Sequence, residues 1–197
     1  MLAIFEHYEW LGKTFPLNPE GISAKKWYRL ANAGFLYIAK RDKKGRPVIV
    51  MNVERIVQFE CEQDDLLKFC DYFFTFCIEK LMVPGLIETW IMVVDLNNVS
   101  STSVPFTKIK AIIANGSKNY RGRMYRQYTI NASWFVRKAF SGMTTFLDEF
   151  TQQKLNMLDD CKDLLQHVTP ECLEQKYGGK LPNIVGNYFP PNMEIAG

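Results

Sequence analysis

The sequence has few of the residues and none of the short motifs on which most enzyme chemistry depends. It contains only two histidines, His7 and His167, and its five cysteines form no CxxC pair. A zinc site of the usual cysteine and histidine spacing is therefore not expected. No GxSxG, HExxH, P-loop or GxGxxG pattern occurs. We predict that the protein is not an enzyme and that it has no catalytic residue, bound metal or cofactor.

The chain also lacks a large excess of charge of either sign and lacks long uncharged apolar runs. The net charge is only +3, and the basic residues are scattered over at least three segments, so nucleic acid is not an expected partner. The most apolar helical stretch, 64–82, is interrupted by Lys68, Asp71 and Glu79, whereas a membrane-spanning helix needs about 20 nearly uncharged residues. Two glutamates in the first nine residues argue against a secretion signal, and unpatterned cysteines suit a reducing compartment. A cytoplasmic protein is expected.

The residues that are present favour a single α/β domain with a large core. Hydrophobic residues make up 47% of the 197 and aromatic residues 14%, which excludes wholesale disorder. Apolar β-branched runs alternate with segments of helical periodicity. This alternation predicts a mostly parallel sheet with right-handed crossovers. The predicted strands are 35–40, 47–53, 88–96, 124–130 and 155–158, and the main helices are 64–82, one that starts at Pro105, and 133–147.

One helix has an apolar face that nothing nearby in sequence covers. Ser133 can cap it, and Val136, Phe140, Met143 and Leu147 then recur at helical spacing, with Trp134 expected to widen the same face. That face packs either on the core or on a bound apolar molecule.

The strand that leads into this helix, together with later segments, resembles a known family. The runs YRGRMYRQYTINASW, FLDEFTQQK and HVTPECLEQKYGGKLP are similar, in order and spacing, to the CRAL-TRIO family of lipid-binding domains, and the resemblance extends over residues 32 to 182. It implies a sheet that forms the floor of a hydrophobic pocket, closed by a movable helical gate at 133–147. On this basis we expect an N-terminal helical or loop segment at 1–30, the lipid-binding domain at 31–182 and a tail at 183–197.

Site residues are carried over from a yeast phosphatidylinositol-transfer member of the family. The resemblance implies that Thr151, Lys154 and Arg123 contact a lipid headgroup phosphate, whereas Gly122 replaces a glutamate that assists the lysine. The positions that form the polar phosphatidylcholine pocket of that yeast member are mostly apolar in this sequence. The residues expected in the pocket or gate are Ile38, Ile49, Trp90, Met92, Tyr128, Phe140, Met143 and Leu147.

Two functions follow from this resemblance. The first is a carrier that binds one lipid, either a phosphoinositide in an altered pose or a less polar ligand such as a sterol, tocopherol or retinoid-like molecule. Such a carrier associates peripherally and transiently with an anionic membrane surface. The second is a protein-interaction or regulatory module on the same fold, with a collapsed pocket, a working surface around Lys40 to Arg46, and a partner in a GTPase pathway.

Overall fold

A single five-stranded sheet organises the chain, for which a computed structural model describes residues 6, 9–10, 12–13, 24–100, 102–144 and 149–188. The strands follow one another across the sheet in sequence order. The first pair is antiparallel and the other three pairs are parallel. The predicted mostly parallel α/β sheet is therefore confirmed. Its strands are β1 (Leu36–Arg41), β2 (Pro47–Asn52), β3 (Trp90–Asp95), β4 (Met124–Ile130) and β5 (Leu155–Met157).

Helices alternate with these strands much as the periodicity predicts. A short helix that was not predicted, α2, follows β2 directly, where the Asn52 side chain accepts a hydrogen bond from the Arg55 backbone amide at 3.3 Å. Six residues are too few to show a helical repeat. The α-helices are α1 (Ala24–Ala31), α2 (Val53–Gln58), α3 (Gln63–Leu81), α4 (Phe106–Asn119), α5 (Trp134–Thr144) and α6 (Glu149–Gln152); the 3-10 helices are Cys161–Gln166, Pro170–Cys172 and Gln175–Tyr177.

Both faces of the sheet are covered, as the near-continuous apolar strands predict. One face carries α1, α3 and α4, with three phenylalanines of α3, Phe69, Phe73 and Phe74, buried against it. The other face is covered by the three 3-10 helices and the residues between them, 161–177, here called the 3-10 segment, which contributes Leu164 and Tyr177. Among the described residues no helix is long and apolar enough to span a membrane.

Residues in and near Tyr177-Gly178-Gly179 attach the 3-10 segment to the sheet. The Tyr37 hydroxyl donates to the fully buried carboxylate of Glu174 at 2.7 Å, and the Tyr177 hydroxyl donates to Asp95 at 2.8 Å. A Cβ atom on Gly179 would lie 1.8 Å from the Leu173 carbonyl oxygen, so no other residue fits there. These contacts hold the face of the sheet that lies away from the site described next.

Candidate functional site

A cavity of about 390 Å³ lies between the sheet and α4. Its floor is made by alternate residues of β3, because successive side chains of a strand point to opposite faces. Its wall is made by the inward side of α4, whose lining residues recur at spacings of three and four. The floor includes Trp90, Met92 and Val94, and the wall includes Ile109, Ile112 and Ile113.

The two ends of this cavity differ in polarity. β2 to β5 run parallel, so their first residues share one edge of the sheet, here called the amino end, and their last residues share the carboxyl end. The lining near the carboxyl end is apolar, with Leu96, Val104 and Phe106. The lining near the amino end is mixed. It contains the polar residues Ser117, Arg121, Thr151 and Lys154 beside apolar ones such as Met124.

Lys154 and Thr151, both predicted to bind a headgroup, lie together at the amino end. The Lys154 ammonium donates to the Met124 carbonyl oxygen at 3.0 Å and lies 4.1 Å from the centre of the Phe150 ring. The Lys154 backbone amide donates to the Thr151 carbonyl oxygen at 3.1 Å. An ammonium has three donors, so the bond to Met124 leaves capacity for a ligand. Their role in binding stays a prediction.

Arg123, the third predicted headgroup residue, is not among the residues that line the cavity. Its guanidinium donates to the Glu88 carbonyl oxygen at 3.3 Å, and its own carbonyl accepts from the Trp90 amide at 2.8 Å. Arg121, two positions earlier, lines the cavity instead. The turn between them passes through Gly122, which has a positive φ of 78° and so redirects the chain. Sequence reasoning missed Arg121.

The predicted pocket residues divide into three groups. Trp90 and Met92 line the cavity. Ile49 belongs to the core on the same face, and the partly buried Ile38 packs against that core, but neither lines the cavity. Tyr128 lies on the opposite face, where its ring stacks on His167 at 4.7 Å. Tyr128 therefore does not line this cavity, in contrast to the expectation.

A register shift explains the position of Tyr128. Trp90 pairs with Met124, but Ile91 pairs with Arg126, so Tyr125 is an additional residue in β4. Strict alternation from Met124 would place Tyr128 on the cavity face, and the extra residue reverses this. As a consequence Gln127, which was not predicted, lines the cavity.

The predicted gate corresponds to α5, which begins one residue after Ser133. The Val136 amide lies 3.4 Å from the Ser133 hydroxyl, and Val136 lines the cavity. Trp134 is 69% exposed, so it does not widen the apolar face as predicted. Successive residues of a helix lie about 100° apart around its axis, so Trp134 lies almost opposite Val136. The side chains of Phe140 and Met143 lie outside the described part of the structure, as does the whole of Leu147.

A buried polar cluster holds the cavity wall. The Tyr120 hydroxyl, from a residue that lines the cavity, donates to the Asp71 backbone carbonyl at 3.0 Å. The Asp71 carboxylate accepts from the Asn115 amide at 2.6 Å. Burial raises the pKa of the Asp71 carboxyl, although both hydrogen-bond donors oppose this rise. These contacts fix α4 to α3.

Comparisons with known proteins agree with this arrangement. The family model described as "CRAL/TRIO domain" matches residues 31–179. The Sec14 cytosolic factor of Schizosaccharomyces pombe is 31% identical over 161 residues, which cover 71% of this chain and 54% of that protein. The SEC14 cytosolic factor of Kluyveromyces lactis is 29% identical over 161 residues, with coverages of 73% and 52%. The chain thus spans about half the length of these relatives. The crystal structure of Sfh5 has the same fold, with a TM-score of 0.73 at 19% identity over 91% of this chain and 66% of that one.

Proposed function

Because the chain belongs to the CRAL/TRIO domain family, we propose that it binds one lipid molecule in the cavity and carries or presents it between membranes. The observation that carries this proposal is the uneven lining of the cavity, which is apolar towards the carboxyl ends of the strands and has both of its charged residues, Arg121 and Lys154, at their amino ends. Such a space matches an amphipathic ligand whose hydrocarbon lies along β3 and whose polar group lies beside Lys154.

The size of the cavity is suitable for one ligand of modest size. Small-molecule sites occupy about 300–1,000 Å³, and the cavity, at about 390 Å³, lies near the lower limit. Each methylene group that enters an apolar site gains about 0.8 kcal/mol relative to water. One hydrocarbon chain of a lipid, or a compact polycyclic ligand, therefore gains free energy by entering the cavity.

The amino end supports recognition of a phosphate or of a smaller polar group. Lys154 and Arg121 supply positive charge, and Thr151 lies within α6, one helical turn before Lys154. Gly122 stands where the family resemblance implies a glutamate, so it offers no carboxylate to orient the lysine. We therefore propose either a phosphoinositide in an altered pose or a less polar lipid, bound during transient visits from the cytoplasm to anionic membranes.

Native mass spectrometry of gently purified protein, followed by identification of any bound lipid, tests this proposal. The variant Ile113→Trp should fill the cavity from α4 and reduce lipid uptake from liposomes. The matched control Ala114→Trp adds the same ring to the exposed side of the same helix and should take up lipid normally. Absence of co-purified lipid together with absence of uptake by the unmodified protein would contradict the proposal.

The protein-interaction module remains the alternative, but the structure gives it less support. That module was expected to have a collapsed pocket, and the cavity differs from this. Its expected surface, Lys40 to Arg46, includes the β1–β2 turn, in which the buried Asp42 carboxylate accepts from the Arg46 side chain at 2.7 Å; a role of this surface in binding a protein stays a prediction. If Ile113→Trp removed lipid uptake but left the cellular activity intact, this alternative would be favoured. A partner in a GTPase pathway stays a prediction.

A further inference from the structure

Charge is distributed unevenly between the two ends of the parallel strands. The connections that lead into β2, β3, β4 and β5 are residues 42–46, 82–89, 120–123 and 153–154, here called the amino-end surface. They contain six lysine or arginine residues and two acidic residues, a net charge of +4. The connections that leave the same strands, 53–62, 96–105, 131–133 and 158–160, contain one arginine and five acidic residues, a net charge of −4. The net charge of +3 for the whole chain conceals this polarity.

Exposed apolar side chains project from the positive end. Leu86 is 79% exposed and Val83 is 45% exposed. They lie in a hydrogen-bonded turn, in which the Val83 amide donates to the Ile87 carbonyl oxygen at 2.9 Å and the Leu86 amide donates to the Val83 carbonyl oxygen at 3.0 Å. A turn fixed in this way presents Leu86 to the surroundings at little additional entropic cost.

The same end contains the polar part of the cavity. Phe150 is 66% exposed and also lines the cavity, and Arg121 and Gly122 are both exposed lining residues. The cavity therefore opens to solvent next to the amino-end surface. The Leu86 turn is joined to this region by Arg123, whose guanidinium donates to the Glu88 carbonyl oxygen at 3.3 Å. The same turn contacts the β1–β2 turn, because a Cβ atom on Gly45 would lie 3.0 Å from the end of the Ile87 side chain.

We propose that the protein docks on anionic phospholipid bilayers through the amino-end surface, with Leu86 inserted among the headgroups and the polar end of the cavity facing the membrane. The inference rests on the proposed function for its purpose but on charge and exposure for its geometry. An anionic bilayer attracts lysine and arginine at its surface, and apolar side chains gain by entering the interface. The opposite charge at the carboxyl end orients the molecule, since that end is repelled. A partner with an uncharged surface would not use this polarity.

Sedimentation with vesicles tests the docking surface. The vesicles contain phosphatidylcholine with roughly one-third phosphatidylserine, or phosphatidylcholine alone. Leu86→Ser should weaken partition onto the anionic vesicles about tenfold, and Lys44→Gln should weaken it about fivefold. The matched controls are Val185→Ser, at a site 83% exposed, and Lys162→Gln beyond the carboxyl ends. Both should bind as the unmodified protein does, and added salt should weaken binding of all forms.

The outcomes separate docking from lipid binding because uptake of detergent-solubilised lipid is measured without vesicles. If the protein takes up lipid and both Leu86→Ser and Lys44→Gln sediment normally, the docking surface is wrong while the proposed function stands. If it takes up no lipid but the two variants sediment less than their controls, docking stands and the proposed function fails. Trp134, exposed at the start of α5, offers a competing contact. Loss of sedimentation in Trp134→Ser with Leu86→Ser unaffected would overturn the docking surface.

Discussion

Replacement of Lys154 by methionine should distinguish a phosphate-bearing ligand from an uncharged one. Methionine keeps an unbranched apolar stem beside Phe150 but removes the ammonium, which lies 4.1 Å from the ring centre and donates to the Met124 carbonyl oxygen at 3.0 Å. A hydrogen bond to a charged group contributes about 1.5–3 kcal/mol. The dissociation constant for a phosphate-bearing lipid should therefore rise about 10- to 100-fold.

The assay compares two ligands that share the same acyl chains, phosphatidylinositol and diacylglycerol. Lys154→Met should weaken binding of the first and leave binding of the second within about twofold, because only the first carries the anion. The control variant is Lys118→Met, at an exposed lysine near the cavity that does not line it. Thr151→Val should show a smaller loss for phosphatidylinositol, about three- to tenfold.

Two results would refute this reasoning about Lys154. Equal weakening for both ligands would mean that the substitution distorts the cavity, since loss of the bond to Met124 also lowers folding stability. Unchanged affinity for both would mean that the headgroup lies elsewhere. A thermal unfolding measurement on each variant separates loss of fold from loss of contact.

Further predictions concern stability. Gly179→Ala should destabilise the fold by about 3–5 kcal/mol, because its Cβ would lie 1.8 Å from the Leu173 carbonyl oxygen. The control Gly186→Ala should change the urea unfolding midpoint little, because a Cβ atom there would meet no neighbouring atom within 4 Å. Similar midpoints for the two variants would contradict the close packing of Gly179 against Leu173. Burial raises the pKa of the Asp71 carboxyl in the fold, so this group contributes stability below its unfolded pKa of about 4 that is lost as pH rises through the raised value. Asp71→Asn should therefore gain stability relative to the unmodified protein between pH 4 and 7, as followed by urea unfolding, and a difference that does not vary with pH would show that Asp71 is not the titrating group.

Local patterns in the sequence were enough to predict most elements. Met124–Ile130 was predicted as a strand with the bounds that the structure has, since its β-branched and aromatic content is a property of the segment itself. The helix 64–82 was predicted to within one residue of Gln63–Leu81 at each end. The segments after 159 form short 3-10 helices, Cys161–Gln166 and Pro170–Cys172, that pack against the sheet.

The arrangement of the candidate site was harder to predict from the sequence. Thr151 and Lys154 line the cavity and were named from one contiguous segment whose resemblance to the family is local; their role in binding stays a prediction. Arg123 and Tyr128 do not line it, because the position of each depends on a feature elsewhere in the chain, the turn at Gly122 in one case and the additional residue Tyr125 in the other. A register shift of one residue moves every following side chain to the other face of a sheet.

The sequence by itself determined the order of strands and helices, the family and the apolar character of the interior, because these depend on residue type and spacing along the chain. Only the tertiary structure decided that a space remains between β3 and α4, which residues border it, and that connections scattered from Asp42 to Lys154 form one positive end. The physical reason is that parallel strands bring the starts of remote segments to one edge, and neither charge nor volume at that edge can be read from neighbours in sequence.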